Sequence, residues 1–455
     1  MVGDIMFENK KIFILGFARS GYEASKYLLK HNNKVLINDI KQEEYHDTDK
    51  INELKNLGCE FIFGTHNVDL SGFDYFIKNP GVPIDHELVL RAKELGIPVI
   101  NEVEMAYHLL PDDITLIGIT GTNGKTTTTT LTYEILKEAY KDRVHLVGNI
   151  GYPLTSIVDR VKPNDIIVME VSVQQSENII DFHPNIGLIT NYSEAHVDFF
   201  KTYDNYKAVK AKMFYNQSEE DTAILNLDND EVLDELKGIK SKKKFFSQKQ
   251  KTDCYLDNNI IYYNDDEVMN INEIKIPGMH NVYNVMQAIS IAKLVNVSNE
   301  VIKKVVSKFT GVRHRLEFVR EYNGVRFYND TEATNIKCTQ IALSSFDNPT
   351  IIILGGLERG QNFDDLTDFI TNVKTIIAIG QCRNRVVDFA NKNNIPVYSY
   401  EYMKDSFNMI QEIMEPGDVV LLSPGSASWD QYKECEERGQ EFKNLVKEIK
   451  NGKRD

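Results

Sequence analysis

Cysteine is scarce and scattered, with five residues, Cys59, Cys254, Cys338, Cys382 and Cys435, and no pair at metal-ligand spacing. An odd count without clustering excludes a disulfide framework and a cysteine zinc site, and leaves free thiols of a reducing compartment. Long apolar runs are missing as well. No stretch approaches the roughly 20 apolar residues that span a bilayer, and the opening MVGDIMFENKK, acidic early and without an apolar run, does not read as a signal peptide. Positive charge is in deficit, with a formal net charge of -15. That balance disfavours non-specific binding to nucleic acid or to an anionic membrane, while leaving room for one local basic pocket. Low-complexity tracts and short repeats are absent, which excludes solenoids and arrays.

What is present is ordinary globular composition, 42% hydrophobic and 26% charged over 455 residues. That length exceeds one hydrophobic core and implies two to four domains. Three α/β patterns follow one another. The first has apolar strands at Ile12 to Leu15, Val35 to Asn38, Tyr75 to Ile77 and Ile97 to Ile100, with the turn GFARSG after the first strand. The segment NEVEMAYHLLPDD reads as a connecting helix ending near Pro111. The second pattern has strands at Ile114 to Ile119, Ile166 to Met169 and Ile186 to Thr190. The lysine-rich stretch from Lys237 to Lys251 reads as surface loop and edge structure, a solvated face in preference to a phosphate site. The third starts near Val312, with strands at Val325 to Tyr328, Thr350 to Leu354, Thr375 to Ile379 and Val419 to Leu422. Strands alternating with helical stretches predict parallel sheets covered by helices.

The strongest chemical signal is GITGTNGKTTTTT, Gly118 to Thr130. A strand enters Gly121, Thr122, Asn123, Gly124, Lys125, Thr126 and Thr127 and continues into a helix. Glycines there let backbone N–H groups curl around phosphate at a positive helix end. Lys125 is placed to reach the β- and γ-phosphates of ATP, and the Thr126 hydroxyl to ligate Mg2+. Ile119 occupies the first glycine of the strict pattern, so the loop is a variant. Glu170 closes the next buried strand, a good position for a metal-binding carboxylate. His196, in NYSEAHVD, ends the third; alone it reads as a hydrogen-bonded loop residue, and its place after Glu170 argues for a ligand. Lys210 has Tyr206, Met213 and Phe214 at helical spacing, so it points inward while Lys207 and Lys212 can face solvent. An inward lysine needs a partner, a depressed pKa or covalent modification; snorkelling is the bland alternative.

GTNGKTT, Glu170, NYSEAHVD, YKAVKAK, GMHNVYN, GVRHRLE, YNDTEATN, GGLERGQNF and LSPGSASWDQY stand in the order found in the Mur ligases. With GFARSG and KNPGVP the resemblance covers essentially the whole chain, and is nearest to the Gram-positive form of the branch that adds D-glutamate. It implies an α/β protein of three domains: a Rossmann-like UDP-binding domain (1–103), a central P-loop ATP-binding domain (104–311) and a Rossmann-like amino-acid-binding domain (312–455). It implies Ser20, Asp39, Gly81 and Asn149 at the UDP-sugar, and Lys125, Thr126, Asn284, Arg315 and Asp330 at ATP. Glu170, His196 and Lys210 would organise Mg2+, with Lys210 carrying a carbamate, and Thr334, Arg359 and Ser428 would face D-glutamate. The resemblance implies a cytoplasmic monomer with small-molecule substrates.

GFARSG has Ala18 where a dinucleotide fingerprint has its middle glycine, so a nicotinamide site is disfavoured. Departures from the family pattern are Glu332 where the family has lysine, Val173, Gln174 and Ser176 after the metal glutamate, and Cys435 in place of phenylalanine. Glu332 reverses a charge near the phosphates and is expected to handicap the site unless a cation compensates. These departures keep two alternatives open: a related ligase with another amino acid or acceptor, and a nucleotide-binding paralogue of reduced activity.

Overall fold

The computed structural model describes residues 7–193 and 200–449. The chain forms two compact units, Met1–Ile271 with Tyr283–Val305, and Asn272–Val282 with Val306–Asp455. In the first unit, β1 (Lys11–Leu15), β2 (Lys34–Asp39), β3 (Glu60–Phe63), β4 (Tyr75–Lys78) and β5 (Val99–Ile100) form a parallel sheet of order β3-β2-β1-β4-β5. Ile12 to Leu15 are buried without alternation, as a strand covered on both faces requires. Strand order reverses at β1, so GFARSG opens at the switch point where such sheets bind ligands.

The same unit carries a nine-stranded sheet: β6 (Thr115–Thr120), β7 (Val144–Gly148), β8 (Ile166–Glu170), β9 (Ile186–Ile189), β10 (Thr222–Asn226), β11 (Lys242–Ser247), β12 (Cys254–Asp257), β13 (Ile260–Tyr263) and β14 (Asp266–Asn270). Its order is β14-β13-β12-β11-β10-β9-β6-β8-β7, with β6 pairing parallel to both β8 and β9. Ile119 lies opposite Glu170, which sets the phosphate loop beside that carboxylate's strand end. The lysine-rich stretch departs from expectation. Lys242–Ser247 is an interior strand between β10 and β12, not edge structure, because Phe246 is buried while the lysines sit at its start. The antiparallel β12–β13 and β13–β14 pairs turn at Asn258-Asn259 and Asn264-Asp265, all at positive φ as two-residue hairpins need.

The second unit holds β15 (Glu317–Tyr322), β16 (Val325–Asn329), β17 (Thr350–Gly355), β18 (Val373–Ile379), β19 (Val397–Ser399) and β20 (Val419–Leu422), in order β15-β16-β20-β17-β18-β19. Only the β15–β16 pair is antiparallel. The carboxyl ends of β16, β20 and β17 are neighbours, which gathers Asp330, Ser423 and Gly356 on one edge.

Polar clasps join the two sheets of the first unit. The helix Glu102–Tyr107 presents Glu104, whose buried carboxylate accepts the N–H groups of Ile180, Asp181 and Phe182 and a bond from His108. Burial alone pushes its pKa up, but these donors outweigh it and hold the carboxyl below its usual range. Lys78, at the end of β4, pairs with Glu177 at 2.9 Å, both side chains almost fully buried. Lys78 Nζ also donates to the Val82 carbonyl at 2.5 Å, tying the loop that carries Gly81.

Removing one partner of such a pair strands a charge in low dielectric, at about 3–5 kcal/mol. Lys78→Met is expected to lower the unfolding free energy by about that amount. Lys78→Met with Glu177→Leu should recover most of it. Urea denaturation followed by circular dichroism measures both.

Candidate functional site

The phosphate loop begins where β6 ends. Gly121 has φ +135° and a Cβ there would lie 1.9 Å from Thr190 Oγ1; Gly124 has φ +82° and a Cβ would meet Asn284 Oδ1 at 2.3 Å. Neither position accepts a side chain. Gly124 caps the helix Lys125–Tyr140. The first amides of that helix have no carbonyl acceptor within it, so an anion is the natural partner. The loop is fastened from behind. Thr122 N–H donates to the Asn191 carbonyl at 2.9 Å, Thr190 Oγ1 to the Asn123 carbonyl at 2.6 Å, and Thr122 and Tyr206 hydroxyls share a bond at 2.9 Å. Lys125 Nζ donates to the Thr122 carbonyl at 2.9 Å, and Thr126 and Thr127 are half-buried on the first turn. Asn284 packs against Gly124 and accepts from Thr128 Oγ1 at 3.3 Å, which places it at the loop.

Glu170 is buried. Its Oε1 accepts from Asn149 Nδ2 at 2.7 Å, and among the described residues its Oε2 has no hydrogen-bond partner. A buried carboxylate oxygen left unpaired suits a cation, so the donor set of Glu170 and Thr126 fits Mg2+. Asn149 thus meets Glu170, beyond its expected contact with the sugar. Lys210 is buried at 1% exposure on the helix Tyr203–Tyr215, which supports the inward reading over snorkelling. Its Nζ donates to the Gly121 carbonyl at 3.0 Å and lies 4.9 Å from the Tyr206 ring centroid. Burial first, then the Lys125 charge, hold its pKa well below the lysine range, with Glu170 opposing. The Lys210 amine is therefore held toward its neutral, nucleophilic form. His196 lies outside the described residues.

At the other sheet of this unit, Asp39 accepts the Phe17 N–H at 2.7 Å and Ser20 Oγ donates to Asn79 Oδ1 at 2.7 Å. Both residues lie at the GFARSG loop; Gly81 follows β4, with open space where a Cβ would stand. Asn79 was missed. It donates to the Leu15 and Gly16 carbonyls and so plugs the loop, and its only sequence signal was membership of KNPGVP.

In the second unit, Asp330 Oδ1 accepts the Leu316 N–H at 3.1 Å and Oδ2 accepts from Ser423 Oγ at 2.8 Å. Burial pushes its carboxyl up to about 7. Arg315 Nη2 stands 3.7 Å from Glu332 Oε2. A cation therefore stands beside Glu332, which meets the condition under which its charge reversal need not handicap the site. Cys435 opens the helix Cys435–Glu448, its thiol pushed up to about 12 by burial and by Glu332. Thr334 is exposed, Arg359 Cζ lies 4.5 Å from the Trp429 ring centroid, and Ser428 is buried with its Oγ unpartnered among the described residues. Of the departures after Glu170, Val173 packs in the core and Ser176 Oγ donates to the Ser172 carbonyl.

A phosphate loop beside a buried carboxylate and a buried lysine, in a chain of parallel-dominated sheets, defines a nucleotide-using α/β enzyme. Residues 119–292 match the Mur ligase middle domain. The chain is 40% identical over 450 residues to the UDP-N-acetylmuramoylalanine--D-glutamate ligase of Geobacillus kaustophilus (strain HTA426), covering 98% of this chain and 99% of that one. It is 42% identical to the enzyme of the same name from Enterococcus hirae, covering 97% of each. The fold resembles UDP-N-acetylmuramate-alanine ligase from Thermotoga maritima, with TM-score 0.60 at 17% identity over 97% of this chain and 100% of that one. MurF from Acinetobacter baumannii gives TM-score 0.57 at 17% identity, over 91% of this chain and 90% of that one. The chain belongs to the Mur ligase family, within the group of UDP-N-acetylmuramoylalanine--D-glutamate ligases. No helix among the described residues is long and apolar enough to cross a membrane.

Asp330 gives a pH signature. An aspartate titrates near ~3.9 when unfolded and at about 7 here. Between those values the folded chain holds a proton that the unfolded chain has lost, so this contribution is full below the lower value and is lost as pH rises to the upper. The difference in unfolding free energy between wild type and Asp330→Asn should shift against the wild type across that window, by up to roughly 1.4 kcal/mol per pH unit. Denaturant titrations of both proteins across the window measure it.

Proposed function

We propose that this chain is an ATP-dependent ligase that couples D-glutamate to the alanyl carboxylate of UDP-N-acetylmuramoyl-L-alanine, in cytoplasmic peptidoglycan precursor synthesis. The observation that carries the reading is near-full-length identity of about 40% to ligases of that name, combined with the phosphate loop, Glu170 and Lys210 in one place. The carboxylate attacks the γ-phosphorus of ATP, ADP departs, and an acyl phosphate forms. The amine of D-glutamate attacks the acyl carbon, inorganic phosphate leaves through a tetrahedral intermediate, and the amine proton is released. Most of the protein's task is positioning and charge neutralisation.

In this reading Lys125 and the amides of the first helical turn hold the phosphates, with Asn284, Arg315 and Asp330 as further nucleotide contacts. Ser20, Asp39, Gly81 and Asn149 hold the UDP-sugar, and Thr334, Arg359 and Ser428 receive D-glutamate. Thr126, Glu170, His196 and a carbamylated Lys210 would hold Mg2+, which supplies charge neutralisation at the transferred phosphoryl group. The carbamate forms when the neutral Lys210 amine adds to the carbon of CO2 and loses a proton. That step turns an expensive buried amine into a metal-binding anion, and the depressed pKa of Lys210 supports it. A monomer acting on small molecules completes the proposal.

Phosphate release, measured with ATP, UDP-N-acetylmuramoyl-L-alanine and a panel of amino acids, is expected to depend on D-glutamate. Preference for another amino acid would replace this reading with that of a related ligase. Lys125→Ala should lower kcat about 100- to 1000-fold at saturating ATP, and retention of the wild-type rate would remove the loop from catalysis. Lys210→Ala should be nearly inactive and partly restored by acetate. An unmodified amine in well-resolved density of the active, bicarbonate-supplied enzyme would sink the carbamate.

A further inference from the structure

The loop from Leu357 to Asn362 is tied down by hydrogen bonds within itself and to its neighbours. Leu357 N–H donates to the Ala427 carbonyl at 2.9 Å, and Gly360 N–H to Glu358 Oε1 at 2.7 Å. Arg385 clamps the loop, donating to Glu358 Oε1 at 2.6 Å and to the Gln361 carbonyl at 2.5 Å. Gln361 Nε2 donates to Ser426 Oγ at 2.6 Å, and Gln361 Oε1 accepts the Arg359 N–H at 2.9 Å. The Arg359 guanidinium stands apart. Among the described residues it has no ion-pair partner, and it stands over the ring of Trp429, 4.5 Å from centroid to Cζ. Trp429 is the only tryptophan of the chain, and 60% of it is exposed. Beside it in the chain, Ser428 is 1% exposed and its Oγ has no hydrogen-bond partner among the described residues.

We propose that Trp429 is a positioning residue, whose ring holds the Arg359 guanidinium as a preformed fork for a carboxylate of the incoming amino acid. The proposal rests on the ligase reading. A guanidinium stacked on an aromatic face loses rotamer freedom and water from that face, while its N–H donors point outward in the plane. Those donors match a carboxylate bidentately. Loop bonds occupy the Glu358 carboxylate and the Gln361 amide, the Arg359 guanidinium has no ion-pair partner among the described residues, and the Ser428 hydroxyl supplies a neighbouring polar contact. A large exposed indole, otherwise unfavourable in water, is accounted for by this stacking.

The test is steady-state phosphate release by the full chain with D-glutamate varied. Trp429→Leu is expected to raise the KM for D-glutamate roughly 3- to 30-fold, the range of a stacked cation–aromatic contact. Its kcat and its KM for ATP and for the UDP-sugar should stay unchanged. Trp429→Phe keeps a ring face and should stay within about three-fold of wild type. Tryptophan emission, with one emitter in the chain, should change on D-glutamate titration and stop changing in Arg359→Ala. An unchanged KM in Trp429→Leu overturns the proposal, as does a loss of kcat or a rise in all three KM values together, which would mark a structural role. Failure of the unmodified protein to release phosphate in a D-glutamate-dependent way overturns the ligase reading and this proposal with it.

Discussion

A parallel strand covered on both faces has nowhere to display a polar side chain except at its ends, and the site chemistry follows from that constraint. β1, β6, β8, β16, β17 and β20 are buried along most of their length, so their side chains are spent on packing. Gly121, Glu170, Asp330, Gly356 and Ser423 all stand at or just beyond carboxyl ends. Sheet order then decides which of these meet. β6 lies beside β8, and the phosphate loop comes next to Glu170; β16, β20 and β17 adjoin, and Asp330 meets Ser423.

Within this frame, buried charge is managed group by group. Glu104 is satisfied by three backbone donors and an imidazole, Lys78 by Glu177, and Asp330 by Ser423 and a raised pKa. Lys210 and Glu170 are handled differently. Lys210 is driven toward neutrality next to Lys125, and Glu170 keeps an oxygen without a hydrogen bond among the described residues. Stability alone does not select that arrangement, since well-packed apolar residues would cost less. The incomplete satisfaction is concentrated where phosphate and cation chemistry takes place.

Much of this was legible because local periodicity and glycine spacing report local geometry. The strand–loop–helix at Gly121 to Lys125 and the inward face of Lys210 are fixed by residues within four positions along the chain. The interior placement of Lys242–Ser247 was hidden, because the lysines that open the strand mask the buried Phe246 that follows. Arg315 opposite Glu332 was hidden for another reason. The two are brought together by the β15–β16 hairpin, a relation that no single-segment pattern encodes. Asn79 and Lys78 likewise act on partners from distant segments, and their types alone carry no sign of it.

The Lys78–Glu177 pair has a consequence beyond its strength. Apolar surfaces tolerate sliding by an ångström at little cost, because one methyl contact replaces another. Two opposite charges at 2.9 Å in a dry interior have a single setting, and any offset exposes both to uncompensated desolvation. The pair therefore works as a registration pin. It fixes where the loop after β4 sits against the segment after β8, so two sheets that fold from separate stretches of chain present their carboxyl edges in one reproducible alignment.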